Sequence, residues 1–250
     1  MFIDTHCHLT DKYTGGADGV IARAMDANVN IMICPTADPA DIPGALDLAE
    51  KHNNIFCTIG IHPEYAPMDA KKYLIDDILN HPRVVGVGEI GLDYHYGADN
   101  RTAQIELFLQ QLEIAKKHAL PVAIHTRDAE EDTAAILTGG VCGVMHCFTS
   151  SWDLAKKMLD RGFMFSASGI LTFKNADEIR ETFAKIPIDR IVIETDAPYC
   201  APVPYRGKTC EPAMLIETAR VLADIKDLPL AELESILMAN VKKLYPKIEL

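Results

Sequence analysis

Two histidines one residue apart, His6 and His8, follow an apolar run that begins with Phe2 and Ile3. In an extended strand, residues i and i+2 point to the same side, so both imidazoles can approach one partner. Cys7 lies between them, and the same alternation predicts that it turns to the opposite side and packs in the apolar layer. Imidazole is a common ligand of transition-metal ions, so the pair is a candidate wall of a metal site.

Further histidines and carboxylates follow short apolar runs elsewhere in the sequence. They are His62 in TIGIHPE, Glu89 in VVGVGEIGLDY, His125 in PVAIHTRD, His146 in GVMHCF and Asp196 in IVIETDAPY. A single histidine after a strand is more often a hydrogen-bonded surface residue than a metal ligand. A whole set of imidazoles and carboxylates at equivalent strand ends is harder to attribute to chance, and it suits Zn²⁺, Mn²⁺ or similar ions.

The elements that must position these residues repeat along the chain, since eight short β-branched runs alternate with longer amphipathic stretches. The predicted strands are Phe2–Thr5, Asn30–Cys34, Ile55–Ile59, Val84–Gly88, Pro121–His125, Gly143–His146, Phe163–Ser168 and Arg190–Glu194. The predicted helices are Ala17–Ala27, Ala40–His52, Ala70–Asn80, Thr102–His118, Ala129–Leu137, Trp152–Asp160, Ala176–Ala184, Pro212–Asp224 and Leu230–Leu244. In the helix from residue 102, one apolar stripe is predicted over Ile105, Phe108, Leu109, Leu112 and Ala115.

Eight strand–helix units over residues 1–250 predict a single-domain (β/α)₈ barrel, the TIM barrel architecture of the α/β class. The competing arrangement is an open doubly wound sheet, but no P-loop occurs in the sequence, and Gly86, Gly88 and Gly91 lie in and just after a predicted strand and not in a turn that opens a helix. In a barrel, the C-terminal ends of all strands meet at one rim. The candidate ligands are therefore expected to gather at that rim.

The order of strands in a closed barrel also predicts how the candidate ligands are arranged. Because the eighth strand neighbours the first, Asp196 is expected beside His6 and His8. Glu89 closes the fourth strand on the opposite wall, where its two oxygens can bridge two ions. The second ion site would be completed by His125 and His146. Two ions about 3.5–4 Å apart can stabilise both the attacking and the leaving oxygen of a displacement.

The composition restricts the class of protein. The formal net charge is -12, which argues against charge-driven binding to nucleic acid or anionic membranes but is compatible with a local phosphate-binding cleft. Seven cysteines without a CxxC pair are typical of reduced thiols in a cytosolic protein. The N-terminus lacks the pattern of a signal peptide, and no apolar segment approaches the roughly 18 residues that span a bilayer. We therefore expect a cytoplasmic protein without a membrane partner.

Taken in order, the motifs resemble those of the TatD-related deoxyribonuclease family over essentially the whole chain: FIDTHCHL, GIHP, GEIGLDY, IHTRDA, HCF, ETDAPY, APVPYRGK and EPAML. The resemblance implies a metal-dependent barrel enzyme that binds two divalent ions, Mg²⁺, Mn²⁺ or Zn²⁺, and hydrolyses phosphodiester bonds of DNA. It further implies exonuclease action on single-stranded DNA by a monomer.

By position, six residues match the metal ligands of that family: His6, His8, Glu89, His125, His146 and Asp196. Glu89 matches the bridging carboxylate of the family. Asp196 matches the residue that orients or deprotonates the attacking water, so Glu89 and Asp196 are the predicted catalytic residues. His62 matches a histidine of the substrate pocket next to the metal ions.

Other substrate contacts are expected from charged and aromatic side chains in the same motifs. The candidates for phosphate contact are Arg127, Arg206 and Lys208, because guanidinium and ammonium groups bind phosphate oxygens. The alternative for each of them is a solvated loop charge. Tyr199 and Tyr205 can either stack on bases or pack at the rim.

The chain departs from the family pattern at two places. Related sequences often read GIHPH and GKRNEP where this chain has GIHPE and GKTCEP. The departures fall at Glu64, Thr209 and Cys210, which are expected to face the pocket region. We therefore expect an unchanged metal site with an altered substrate periphery, which affects substrate preference more than hydrolysis.

Three readings of the function compete. An amidohydrolase acting on a C–N, lactone or ester bond would use the same barrel and the same opening pair of histidines, and deacylation of D-aminoacyl-tRNA is a narrower form of it. In many enzymes of the amidohydrolase superfamily, which this barrel would then resemble, a modified lysine that closes the fourth strand bridges the two metal ions. Here Glu89 holds that place and no lysine lies between Lys72 and Lys116, which favours a nuclease. A non-enzymatic metal-binding barrel would predict a degraded ligand position, and none of the six is degraded.

Overall fold

Eight parallel strands form one sheet in sequential order in a computed structural model of the chain. The structure describes residues 1–10 and 13–249, except for the side chains of residues 96–98. The strands are β1 Phe2–Asp4, β2 Val29–Pro35, β3 Ile55–Thr58, β4 Val84–Asp93, β5 Val122–Arg127, β6 Gly143–Met145, β7 Met164–Ala167 and β8 Ile191–Ile193. Each of the eight predicted strands is confirmed.

The sheet closes on itself between the last strand and the first. The amide of Thr5 donates to the carbonyl of Ile193 at 3.2 Å, and the amide of His8 donates to the carbonyl of Ala197 at 2.7 Å. Cys7 and Ala197 form an isolated parallel bridge just beyond the strand ends. A closed barrel of eight parallel strands is the predicted (β/α)₈ architecture.

Helices connect the strands on the outside of the barrel. They are α1 Gly16–Asp26, α2 Ile42–Lys51, α3 Asp76–Leu79, α4 Tyr94–Gly97, α5 Arg101–His118, α6 Glu130–Ile136, α7 Trp152–Asp160, α8 Asp177–Lys185, α9 Leu215–Lys226 and α10 Leu230–Leu244. The helix predicted over Ala70–Asn80 is wrong in its first half. There a short 3-10 turn at Ala70–Lys72 is separated from α3 by Ile75, which has an extended backbone. Among the described residues, no helix combines the length and apolarity needed to cross a bilayer.

The buried apolar residues form two layers, one inside the barrel and one between the barrel and the helices. The inner layer contains a residue from every strand and from the last segment of the chain: Ile3, Ile33, Phe56, Val85, Ala123, Val144, Met164, Val192, Tyr245 and Ile248. On β5, β6 and β8, the residues two positions beyond this layer are His125, His146 and Glu194. Because residues two apart in a strand share a side, ionisable side chains continue the apolar interior towards the C-terminal rim.

Two glutamines of α5 are buried where an apolar stripe was predicted. Leu109 is 46% exposed, so its placement in the stripe is wrong, whereas Gln104 and Gln111 are 2% and 0% exposed. The amide of Gln111 accepts from the N–H of Ile61 at 2.8 Å and donates to the carbonyl of Ile61 at 3.0 Å. Gln104 makes the same pair of bonds with the backbone of Asp93, both at 2.8 Å. These side chains pair backbone groups beyond β3 and at the end of β4.

Replacing Gln111 with leucine should therefore lower the free energy of unfolding by about 1–3 kcal/mol, because it leaves two buried backbone groups of Ile61 without partners. Chemical denaturation of both proteins measures the difference. The matched control is Glu113→Gln, an exposed change one half-turn along the same helix, which should change stability by less than about 0.5 kcal/mol. Equal stability of the leucine variant and the wild type would contradict this account.

Candidate metal centre

Side chains within five of the strands or just beyond them converge at the C-terminal rim of the barrel. They come from β1, β4, β5, β6 and β8 and form three groups in which the potential ligand atoms lie within 4.8 Å of one another. The groups are His6–His8–Glu89, Glu89–His125–His146 and His6–His146–Asp196. All six residues that match the family's metal ligands thus lie together, and we refer to them as the rim cluster.

The first pair of the rim cluster is positioned by a bend. β1 ends at Asp4, and Thr5 and His6 lie in the bend that follows. Ile3 belongs to the inner apolar layer, so uninterrupted alternation from Ile3 would have turned His6 outwards. The bend reverses the side, and the rings of His6 and His8 lie 5.3 Å apart. As expected, Cys7 packs in the outer apolar layer.

Glu89 occupies the middle of the rim cluster and faces imidazoles with both carboxylate oxygens. Its Oε1 lies 2.8 Å from His125 Nδ1 and 3.3 Å from His146 Nε2. Its Oε2 lies 3.5 Å from His6 Nε2 and 4.0 Å from His8 Nε2. Each oxygen is therefore directed at a different pair of histidines, which is the arrangement that a carboxylate bridging two ions requires.

Asp196 approaches the rim cluster from the loop after β8. Its Oδ1 lies 3.9 Å from His8 Nε2 and 3.9 Å from His146 Nε2. The backbone of Asp196 is left-handed, with φ 55, and its N–H donates to the carbonyl of His6 at 2.9 Å. This bond joins the loop after β8 to the bend after β1, as expected for neighbouring strands of a closed barrel.

The donor set of the rim cluster fits a divalent cation. Nε2 of His6 is buried and makes no hydrogen bond among the described residues, although it lies near Glu89. Leaving such an atom without a partner costs roughly 1–3 kcal/mol, and its lone pair is available to a metal ion. The rings of His6 and His146 stack with centroids 3.6 Å apart, so their nitrogens approach the same space.

The protonation states of the rim cluster differ between its histidines. Burial opposes protonation of His125 and His146, but the neighbouring carboxylates raise the pKa of both, so a cation would have to displace a proton from these rings. Burial lowers the pKa of His6, and it lowers the pKa of His8 to about 3, so these imidazoles are neutral, as metal ligands must be. Burial opposes ionisation of Glu89, but His146, His125 and His6 together hold the pKa of Glu89 well below its usual value. Burial raises the pKa of Asp196 well above its usual value, an effect that His146 opposes. A cation would favour the ionised form of this carboxyl.

Two carboxylates that were not predicted as site residues contact histidines of the rim cluster. Each lies beside the ring nitrogen that does not face Glu89. Glu194 Oε1 lies 2.8 Å from His146 Nδ1, and Asp93 Oδ2 lies 3.1 Å from His125 Nε2. Carboxylates in this position fix the orientation of a ligating imidazole and raise its basicity. For Glu194 a signal existed in the sequence, since it lies two residues beyond the inward-facing Val192. Asp93 lies beyond the predicted end of β4, so strand periodicity did not indicate it.

His62, which was predicted as a substrate-pocket residue, lies next to two residues of the rim cluster. Its Nε2 is 3.9 Å from Glu89 Oε1, and its ring centroid is 4.6 Å from that of His125. With Asp93 and His125 it forms a further group of ligand atoms within 4.8 Å. Burial lowers the pKa of His62 to about 4.

The predicted phosphate-binding residues are exposed at the ends of loops and strands. Arg127 is the last residue of β5. The guanidinium of Arg206 lies 3.8 Å over the ring of Phe173 and donates to the carbonyl of Ala201 at 2.8 Å. The ammonium of Lys208 lies 5.6 Å from the centre of the Tyr205 ring. These contacts order the loop after β8 without linking its charges to the rim cluster.

The residues that depart from the family pattern differ in their surroundings. Glu64 is exposed, and its Oε1 lies 3.3 Å from His62 Nδ1, so a carboxylate borders the rim cluster there. Cys210 is 0% exposed, and its thiol lies 3.9 Å from the carbonyl of Thr195. The expectation that position 210 faces the pocket is therefore wrong, because the N–H of Cys210 bonds to the carbonyl of Pro198 and the side chain turns inwards. Thr209 is exposed.

The closed parallel barrel with imidazoles and carboxylates at its C-terminal rim defines a (β/α)₈ protein with a candidate metal centre. The sequence model of the family described as TatD related DNase matches residues 3–246. The chain belongs to this family and is a metal-dependent hydrolase.

Relatives and solved structures agree with this membership. The chain is 37% identical over 252 residues to the uncharacterized metal-dependent hydrolase YabD of Bacillus subtilis, covering 98% of this chain and 99% of the relative. It is 36% identical over 258 residues to the uncharacterized metal-dependent hydrolase YcfH of Escherichia coli, covering 98% and 96%. The crystal structure of the TatD homolog YJJV from Escherichia coli superposes with a TM-score of 0.88 at 30% identity, covering 98% of both chains.

Proposed function

We propose that this protein hydrolyses phosphodiester bonds of DNA and removes nucleotides from the ends of single strands. The observation that carries the proposal is the position of Glu89, whose two oxygens face separate pairs of histidines. A carboxylate placed between two ligand groups suits a two-ion site for phosphoryl chemistry. Membership of a family described as TatD related DNase supports DNA as the substrate.

The six residues of the rim cluster are proposed as ligands of two divalent ions. Oε2 of Glu89 would join His6 and His8 at one ion, and Oε1 would join His125 and His146 at the other. Mg²⁺, Mn²⁺ and Zn²⁺ all suit donors of this kind, and such ions supply Lewis-acid stabilisation of charge on phosphoryl oxygens. Asp196 is the proposed acceptor of a proton from the attacking water, at the carboxylate that lies between His8 and His146.

Contacts with the nucleic acid would come from the loop after β8. Tyr199 is 63% exposed, and its ring centroid lies 6.1 Å from that of His8, which places an aromatic surface at the edge of the rim cluster. Base stacking on such a ring tolerates any sequence. Arg206 and Lys208, in the same loop, are proposed to bind phosphates of the strand, and Arg127 at the end of β5 is proposed to do so from another side.

Tyr199→Ala should raise KM for single-stranded DNA by about fivefold or more while changing kcat less, because the loss of one base stack costs about 1 kcal/mol or more. Steady-state kinetics with a labelled oligonucleotide measure both constants. Tyr199→Phe keeps the ring and should behave like the wild type. Tyr73→Ala removes another exposed aromatic ring, in the segment before α3, and should leave KM unchanged. An unchanged KM in Tyr199→Ala would exclude stacking at this residue.

The proposed substrate is tested by comparing three classes side by side at a fixed concentration of Mn²⁺. The panel contains end-labelled single-stranded DNA, a D-aminoacyl-tRNA and a set of small amides and lactones. We expect turnover of DNA far above that of the other classes. Preferred hydrolysis of the aminoacyl ester or of an amide would replace the nuclease proposal with the corresponding hydrolase.

A further inference from the structure

Two thiols lie beside the rim cluster and take no part in the proposed hydrolysis. They belong to Cys147, which follows β6, and Cys200, in the loop after β8. Their sulfur atoms and a carboxylate oxygen of Asp196 all lie within 4.8 Å of one another. Three potential metal-binding atoms thus form a group of their own at the rim.

The backbone holds the two cysteines in place from separate elements. Glu194 accepts a hydrogen bond from the N–H of Cys147 at 2.7 Å, and the same oxygen lies next to His146. The carbonyl of Cys200 packs against Gly169 so closely that a Cβ there would lie 2.0 Å from it. The backbone of both cysteines is therefore held by contacts that do not depend on a bound ion, and such preorganisation favours binding.

Asp196 divides its two oxygens between the rim cluster and the thiols. Oδ1 faces His8 and His146 at 3.9 Å, whereas Oδ2 lies 3.5 Å from the sulfur of Cys200. The sulfur of Cys147 also lies 3.1 Å from the hydroxyl of Ser168. One carboxylate can therefore serve both groups, since each oxygen is directed at a different set of donors.

The chemistry of the thiol group differs from that of the rim cluster. Thiolates select soft or borderline ions such as Zn²⁺ and Cd²⁺, whereas carboxylates and imidazoles also accept harder ions such as Mn²⁺. Both cysteines are partly accessible to solvent, so an ion can reach them. Each thiol would release its proton to solvent as the metal–sulfur bond forms, so that the two thiolates balance the divalent charge.

We propose that Cys147, Cys200 and Asp196 form a separate site for a thiophilic divalent ion, with Asp196 shared with the rim cluster. The proposal concerns metal binding only and does not depend on which substrate the protein hydrolyses. It predicts that the chain binds one ion through sulfur in addition to those bound through nitrogen and oxygen.

Titration of the fully reduced protein with Cd²⁺ tests the site through the ultraviolet charge-transfer absorption of sulfur–cadmium bonds. Histidine and carboxylate ligands do not produce this absorption, so ions in the rim cluster do not contribute. We expect the band to saturate at one Cd²⁺ per chain in the wild type and to be lost in Cys200→Ser and in the double variant with Cys147→Ser. Cys142→Ser, which removes the exposed cysteine at the start of β6, should retain the band.

The contribution of Asp196 to the affinity for Cd²⁺ is measured in the same titration. Asp196→Asn should keep the band but weaken Cd²⁺ binding by about tenfold or more, the size of effect seen when a supporting metal contact is lost. Circular dichroism establishes that each variant is folded, and thiol titration in denaturant establishes that the cysteines are reduced. Absence of the band in reduced wild type, or its persistence in folded Cys200→Ser, would overturn the proposal. Unchanged affinity in Asp196→Asn would remove Asp196 from the site.

Discussion

Glu89→Gln should lower the rate of single-strand DNA hydrolysis by about 10³-fold or more, equivalent to roughly 4 kcal/mol of transition-state stabilisation. The substitution keeps the size of the side chain but removes the charge at the point where both oxygens face histidines. An amide presents one oxygen instead of two, so it cannot bridge two ions. Both proposed ion sites would be affected at once, and this is the reason for the large expected effect.

The measurement is the initial rate of nucleotide release from a labelled strand at several Mn²⁺ concentrations. Glu106→Gln, an exposed change of the same type on α5, is the matched control and should retain the wild-type rate. Circular dichroism and the thermal midpoint establish that both variants are folded. A folded Glu89→Gln protein with more than about a tenth of the wild-type rate would contradict a bridging role.

The second large effect is expected at Glu194, which contacts no proposed substrate and acts through His146. Glu194→Gln should weaken binding of Mn²⁺ or Zn²⁺ by about 10–100-fold, because the carboxylate beside Nδ1 orients the imidazole and raises its basicity. At saturating metal, the rate should recover most of its wild-type value. The amide oxygen can still accept from the N–H of Cys147, which keeps the loop in place.

Calorimetric titration of the metal-free protein measures the affinity directly, and metal dependence of the rate measures it independently. A purely structural role of Glu194 would lower the stability without changing the metal affinity, so the two readouts separate the alternatives. Glu181→Gln on the exposed side of α8 is the control and should leave both unchanged. Equal metal affinity in Glu194→Gln and the wild type would exclude positioning of His146 by this carboxylate.

The barrel could be predicted from sequence because each strand and helix carries its own periodicity. The eight strands and most helices depend on local alternation and on apolar stripes, which are visible in short windows. The burial of two glutamines in α5 cannot be predicted from such periodicity. Gln104 and Gln111 are buried because they pair backbone groups of Asp93, at the end of β4, and of Ile61, beyond β3, and that partnership exists only in the folded chain.

The geometry of the candidate metal centre likewise depends on contacts that short stretches of sequence do not reveal. The pair at His6 and His8 was recognised from its i, i+2 spacing, yet the bend after Asp4 decides which side the pair faces. Positions at strand ends and the family resemblance indicated the six rim residues, whereas the roles of Glu194 and Asp93 depend on their distances to histidines. Cys210 was expected at the pocket and is buried, because the local path of the loop turns it inwards. Spacing indicates which residues share an element, and the contacts between elements require the three-dimensional structure.

Divalent ions held by the rim cluster are proposed to drive hydrolysis of single-stranded DNA. The most direct test of this claim is one protein preparation assayed on 3′- and 5′-labelled single strands before chelation, after chelation and after reloading with Mn²⁺. We expect nucleotide release before chelation, loss of release after it and recovery on reloading. Release that continues unchanged in the chelated protein, or the absence of release in the reloaded protein, would contradict the claim.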